Sequence, residues 1–285
     1  PEITNNVAAV TINALDIAES GDVLYVGGGF THVNDGAEQR NDFAAFSLSD
    51  GSVTALDPGV LGPPETIYAI AESSDGDRLY LGGNYRFSPD EIEAIDTALK
   101  VVDVSDGEFL ETDFGFPDNS TPRVYALALS ADGQTIYAGG SFVDGDVGRN
   151  YIAAFDTTTG TVTAFNPALG ATVYALALAD GTLFAGGEIG TANIQERNGI
   201  AAIDRSTYEL NDFNPNVNST VNALALSSDS ETLYAGGAFT DVNNGTTRNR
   251  LAAFSTTDGI ATAFDPDLSG SVLAVELSAD DSTLY

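Results

Sequence analysis

The chain has 285 residues, 43% of them hydrophobic, which suits a sizeable core and argues against disorder over most of its length. Its 42 acidic and 10 basic residues give a formal net charge of -32, with Lys100 the one lysine, and a field of that sign repels phosphate backbones and anionic lipid. Nucleic acid and membrane surfaces are thereby disfavoured as partners, the lack of cysteine removes disulfides and thiolate chemistry, and no apolar run approaches the roughly 20 residues that span a bilayer.

Proline stands first, no methionine occurs, and no signal peptide precedes Pro1, so the chain reads as processed or excised. INALDIA at 12 to 18 is the first apolar run, and LYVGGGF at 24 to 30 and DFAAFS at 42 to 47 follow it. The order then returns: IYAIAES and LYLGGNY; VYALALS, IYAGGSF and YIAAFD; VYALALA, LFAGGEI and GIAAID; VNALALS, LYAGGAF and RLAAFS; and last VLAVELS and a terminal LY. The aromatic markers Tyr25, Tyr80, Tyr137, Phe184, Tyr234 and Tyr285 are 55, 57, 47, 50 and 51 residues apart, so the chain is built from repeats of that length.

Each repeat reads as four strands. Asp/Gly turns such as ADGQ at 131 to 134 join the first to the second, and glycine-ended turns such as TTTG at 157 to 160 join the third to a fourth such as TVTAFNP at 161 to 167. The runs are short and rich in Val, Ile, Tyr, Phe and Thr, which favours strand over helix. Four antiparallel strands at this period describe an all-β fold of β-propeller blades, here five complete repeats and partial terminal ones, with six or seven blades if the ring closes. Residues 1–285 then form one repeat domain, out of phase at both ends: Pro1 matches Pro58, Pro117, Pro167, Pro215 and Pro266, and Tyr285 stops inside a second strand. An open array stacked along a fibre is the alternative. The paired glycines serve packing; no copy is followed by the lysine of a phosphate loop or by a helical pattern.

The stretch from Gly236 to Tyr285 resembles the delta-sixty repeat of large secreted bacterial proteins, and its double glycine resembles kelch blades, although the kelch tryptophan is missing and the second repeat departs from the pattern. The resemblance implies a propeller on a secreted or surface-anchored protein, with no catalytic residues to carry over.

Because both hairpin turns are tight, loop length gathers on one face, the expected binding surface. It comprises loops 31–41, 84–98, 141–150, 188–198 and 238–249, with the connections 57–66, 113–123, 166–172, 214–220 and 265–271. The least repetitive loop carries Tyr85, Arg86, Phe87, Asp90, Glu91, Glu93 and Asp96, a candidate ligand site set against simple packing over the blade. Arg40, Arg149, Arg197 and Arg248 each precede an asparagine and the third strand; their expected duty is structural, satisfying loop carbonyls or an acid of a neighbouring blade. The segments 73–78, 89–93 and 143–148 offer oxygens to Ca²⁺ without the full spacing of a calcium loop, so no cofactor is expected beyond that option. Sequons at Asn119, Asn218 and Asn244 are candidate glycosylation sites. His32 is the one histidine and no serine elbow occurs, so the chain reads as a non-enzymatic extracellular or cell-surface module for adhesion or structure. Its expected partner is a protein, a glycan or another copy of itself. A polysaccharide hydrolase or lyase using acids near the channel mouth is the rival class.

Overall fold

The computed structural model describes residues 3–4, 10–34, 36–60, 66–85, 97–112, 114–116, 122–143, 149–179 and 181–285. Among them every regular element is a strand. The chain divides into two compact bodies, one of residues 1–138 and 154–163, the other of residues 139–153 and 164–285.

In the first body, repeat one forms an antiparallel sheet of Thr11–Ile17, Val23–Gly29 and Phe43–Ser47 in that order, and repeat two one of Thr66–Glu72, Arg78–Tyr85 and Thr97–Asp103. In the second, repeat four pairs Val173–Ala179, Thr182–Gly187 and Ile200–Asp204, and repeat five Val221–Leu226, Thr232–Gly237 and Leu251–Ser255. The sheet of repeat three, made of Val124–Leu129, Thr135–Val143 and Asn150–Asp156, has residues in both bodies.

The fourth run of each repeat reaches the sheet but pairs through a single bridge: Phe46 with Val53, Val102 with Phe109, Phe155 with Val162, Ile203 with Leu210 and Phe254 with Ala261. In repeat four it leaves the edge because its aromatic is needed inside. Phe213 is fully buried with its ring 5.1 Å from that of Phe184 and 6.5 Å from that of Phe254, so the backbone must turn inward before Pro215. Burying that ring outweighs one or two further ladder bonds at an exposed edge.

Successive sheets pack face to face. In the first body Tyr25 and Phe43 of repeat one share a core with Ile67, Leu79 and Leu81 of repeat two. In the second, Phe184 and Ile200 of repeat four share one with Val221, Leu233 and Phe254 of repeat five.

The two glycines of each pair have separate reasons. The first is a socket for the next repeat. A Cβ on Gly27 would lie 2.5 Å from Ile67, on Gly82 2.7 Å from Val124, on Gly139 2.5 Å from Val173 and on Gly186 2.8 Å from Val221; on Gly236 it would collide with Val272. The residue three places further on, Ile70, Leu127, Leu176, Leu224 or Val275, closes over the same glycine. The second glycine faces its own sheet. The first strand carries a bulge near its start, between Ile12 and Ala14, Ile67 and Ala69, Val173 and Ala175, and Val221 and Ala223. That bulge pushes a carbonyl towards the glycine, so a Cβ on Gly28, Gly187 or Gly237 would collide with the backbone oxygen of Thr11, Thr172 or Thr220. The close neighbours are therefore aliphatic side chains and a backbone oxygen, not aromatic rings.

The turns are held by short side chains. Ser73, Ser130, Ser227 and Ser278 donate to Asp75, Asp132, Asp229 and Asp280 at 2.5 to 2.7 Å and accept the amide that restarts the chain. The Ser278 and Ser282 hydroxyls and the Ser282 amide bring the Asp280 carboxyl down to about 2.

Candidate functional site

Three of the four in-phase arginines brace the fourth run of their own repeat. Arg40, Arg197 and Arg248 each donate through Nη2 to a carbonyl of the fourth run, that of Thr54 at 3.2 Å, Asn211 at 3.2 Å and Thr262 at 2.7 Å. Each also donates through Nη1 to the residue before it, at 2.8 to 2.9 Å. Arg40 meets Asp57 at 3.6 Å and Arg248 meets Asp265 at 3.4 Å, so the acid belongs to the arginine's own repeat and not to a neighbouring one. Arg149 holds the same place ahead of strand Asn150–Asp156 and is half-buried. Two residues beyond each of these arginines the backbone takes a positive φ: Asp42 at 59°, Tyr151 at 64°, Gly199 at 77° and Arg250 at 68°.

Gly199 is the glycine of that series, and beside it lies an open cavity of about 400 Å³. Its walls are loop 188–190, the Asn198–Gly199 corner and the connection 217–220. Loop 188–190, Asn198 and the connection 217–220 belong to the long-loop face expected from sequence, and Gly199 follows directly on loop 188–198. The cavity lies where repeat four departs from the others at three places. Glu188 stands where the other repeats have Gly29, Asn84, Ser141 and Ala238; Ile189 replaces Phe30, Tyr85, Phe142 and Phe239; and Gly199 replaces a residue with a side chain. In repeat five the matching space is filled: Arg250 sends its guanidinium Nη1 onto the carbonyl of Ala238.

Many donors that line the cavity are already used. Asn198 Nδ2 donates to Glu196 Oε1 at 2.9 Å and to Asn216 Oδ1 at 2.6 Å. Asn218 Nδ2 donates to Thr240 Oγ1 at 3.0 Å and Asp241 Oδ2 at 3.2 Å. The amides of Glu188, Val217, Asn218 and Gly199 bond to backbone carbonyls at 2.8 to 3.0 Å. Glu188 is exposed and its Oε1 accepts from the Tyr174 hydroxyl at 3.3 Å, which leaves Oε2 open among the described residues.

Of the loop singled out in sequence, Tyr85 ends its strand opposite Thr97, while Arg86, Phe87, Asp90, Glu91, Glu93 and Asp96 lie outside the described residues. So do Asn119, the acidic run 89–93 and all but Val143 of the run 143–148. Asn218 and Asn244 are exposed on the loop face. The Asn218 amide is spent on Thr240 and Asp241, and the Asn244 carbonyl accepts from the Asn216 amide. Among the described residues no three acids or histidines gather as a metal site. Asp75 of the segment 73–78 is taken up by Ser73 and the Asp77 amide. No helix of the described residues is long and apolar enough to cross a membrane.

No family model matches the sequence, and no curated protein matches it. Solved structures do match. The chain is similar to the crystal structure of the WD40 β-propeller domain of Doa1, with a TM-score of 0.62 over 96% of this chain and 74% of that one. The fold is a β-propeller. At 13% identity the likeness carries the architecture of this propeller and not the chemistry of its surface. Sequence reasoning named the loop face on which the cavity opens but not the cavity. The signal was present in column: a glutamate in GGEI and a glycine in RNG, each against its counterparts in the other repeats.

Proposed function

We propose that this propeller is a non-enzymatic, extracellular interaction module that holds a partner protein or glycan on its long-loop face. The carrying observation is the cavity in repeat four, which opens on that face where the repeat is broken and where repeat five is filled by its own arginine. The propeller fold suits such a module, and the acidic surface keeps it soluble when exposed to salt. The resemblance to secreted delta-sixty repeats supports the extracellular placement, and a ring of six or seven blades is the assembly this reading expects.

The test presents the purified chain to arrays of glycans and of peptides from surface proteins, beside a Ser219→Trp variant that fills the cavity. The expected result is binding by the native chain that the variant loses at least about tenfold, a change of about 1.4 kcal/mol. Release of reducing ends from a polysaccharide would replace this reading with a hydrolase or lyase. Growth of scattering mass with concentration, with no array signal, would replace it with a fibre subunit.

A further inference from the structure

We infer that the cavity of repeat four receives a basic side chain, arginine or lysine, from a partner protein; this rests on the interaction-module reading and names the chemistry of that site. The protein carries its own precedent. In repeat five, Arg250 stands where repeat four has Gly199, and its guanidinium reaches the carbonyl of Ala238, the counterpart of Glu188. Repeat four lacks the arginine and adds a carboxylate at the point where the arginine would end.

The remaining chemistry of the cavity fits that occupant. Both asparagine side-chain amides point their hydrogens at internal acceptors, so the groups left for a ligand among the described residues are the Glu188 carboxylate, the hydroxyls of Ser219 and Thr220 and the backbone amides of Ile189, Gly190, Ser219 and Thr220. The one formal charge among these groups is the Glu188 carboxylate, which selects a cationic donor. A net charge of -32 raises the local concentration of any basic segment and speeds its encounter. A divalent cation is served poorly, since Glu188 is the one carboxylate in the lining. The chain does not fill the cavity from position 199, because a Cβ on Gly199 would lie 2.7 Å from that of Val217.

The experiment titrates the protein with the capped peptide Gly-Gly-Arg-Gly-Gly, its lysine analogue and its citrulline analogue, following the amide signals of repeat four by NMR. Citrulline keeps the shape of arginine and removes the charge. The arginine peptide is expected to shift signals around Glu188 and Ser219, the citrulline peptide to bind at least about tenfold more weakly, and Glu188→Gln to weaken arginine binding by about the same factor. Glu231→Gln, which removes an exposed charge elsewhere, is the control for the general field and leaves the affinity within about twofold. Equal binding of citrulline, an affinity unmoved by Glu188→Gln, or Glu188-dependent Ca²⁺ binding that displaces the peptide would each overturn the inference. The array in the preceding section reads partner binding without reference to charge, so a positive array with a failed titration removes this inference and leaves the module reading in place.

Discussion

The first strands of repeats four and five and the first strand of repeat one share a pattern and differ in surroundings. Val173 and Val221 are fully buried, each over the glycine of the repeat before it. Ile12 and Leu15, the matching pair in repeat one, are 42% and 63% exposed, and no glycine strand lies before them among the described residues. The sixth, partial repeat shows the complement: Val275 is buried against Gly236, while Leu273 and Tyr285 are each 76% exposed. The aliphatic residue near the start of this strand, Ile67, Val124, Val173 or Val221, is thus fully buried where a glycine socket faces it, and its counterpart Ile12, which has none among the described residues, is exposed. Burial here is a property of the pair of repeats and not of the strand.

The difference sets an order of mutational effects. The largest belongs to the glycines. Gly187→Ala places a methyl against the Thr172 carbonyl, and Gly186→Val drives a side chain into Val221; each is expected to lower the unfolding free energy by about 3 kcal/mol in urea denaturation. If Gly186→Val is tolerated within about 0.5 kcal/mol, the socket does not organise the stacking. Next comes the knob. Val221→Ala is expected to cost about 2 kcal/mol by the same measurement, and Ile12→Ala less than about 1 kcal/mol, a contrast that vanishes if repeat one is packed like the interior repeats.

A third effect is electrostatic and specific to repeat one. Asp16 takes the place of Ala71, Ala128, Ala177 and Ala225, and burial pushes its carboxyl up from 3.8 to about 6, with the charge of Glu72 adding to the shift against the lowering bond from the Glu72 amide. The folded protein therefore keeps a proton there that the unfolded chain has lost. Stability from this group is present below 3.8, falls as pH rises towards about 6, and stays lost at neutral pH. Asp16→Asn is expected to recover about 1 to 2 kcal/mol at neutral pH, allowing for partial exposure, and nothing below the ordinary carboxylate value. Parallel pH–stability curves for the two proteins would contradict the shift. The smallest effect belongs to Leu15→Ser, expected to leave the unfolding midpoint unchanged within about 0.5 kcal/mol while the same change at Leu224 lowers it clearly.

Much of the propeller was legible in the sequence because its strands are short, periodic and bounded by turn residues. The Ser-Asp turns at Ser73, Ser130 and Ser227 and the tie of Arg248 to the Thr262 carbonyl are local enough to follow from spacing. The fourth strand was over-read: TVTAFNP has strand composition, but a buried phenylalanine at its end draws the backbone off the sheet edge after one bridge. The cavity escaped for a different reason. Its walls are Glu188 and Gly199 from one repeat and the connection 217–220 leading to the next, and only folding brings these together. The loop chosen from sequence was the longest departure from the repeat, whereas the cavity lies beside three single-residue departures in and next to a loop of ordinary length.

The sequence by itself determined the repeat, the identity of its strands and the face on which the loops gather, since each follows from periodicity, turn chemistry and connection length within one repeat. The tertiary structure alone decided which apolar residues are core, what each glycine of a pair must avoid, and where a cavity opens. Those depend on side chains some fifty residues apart meeting across stacked sheets, where close packing leaves no room for a Cβ at Gly199 beside Val217.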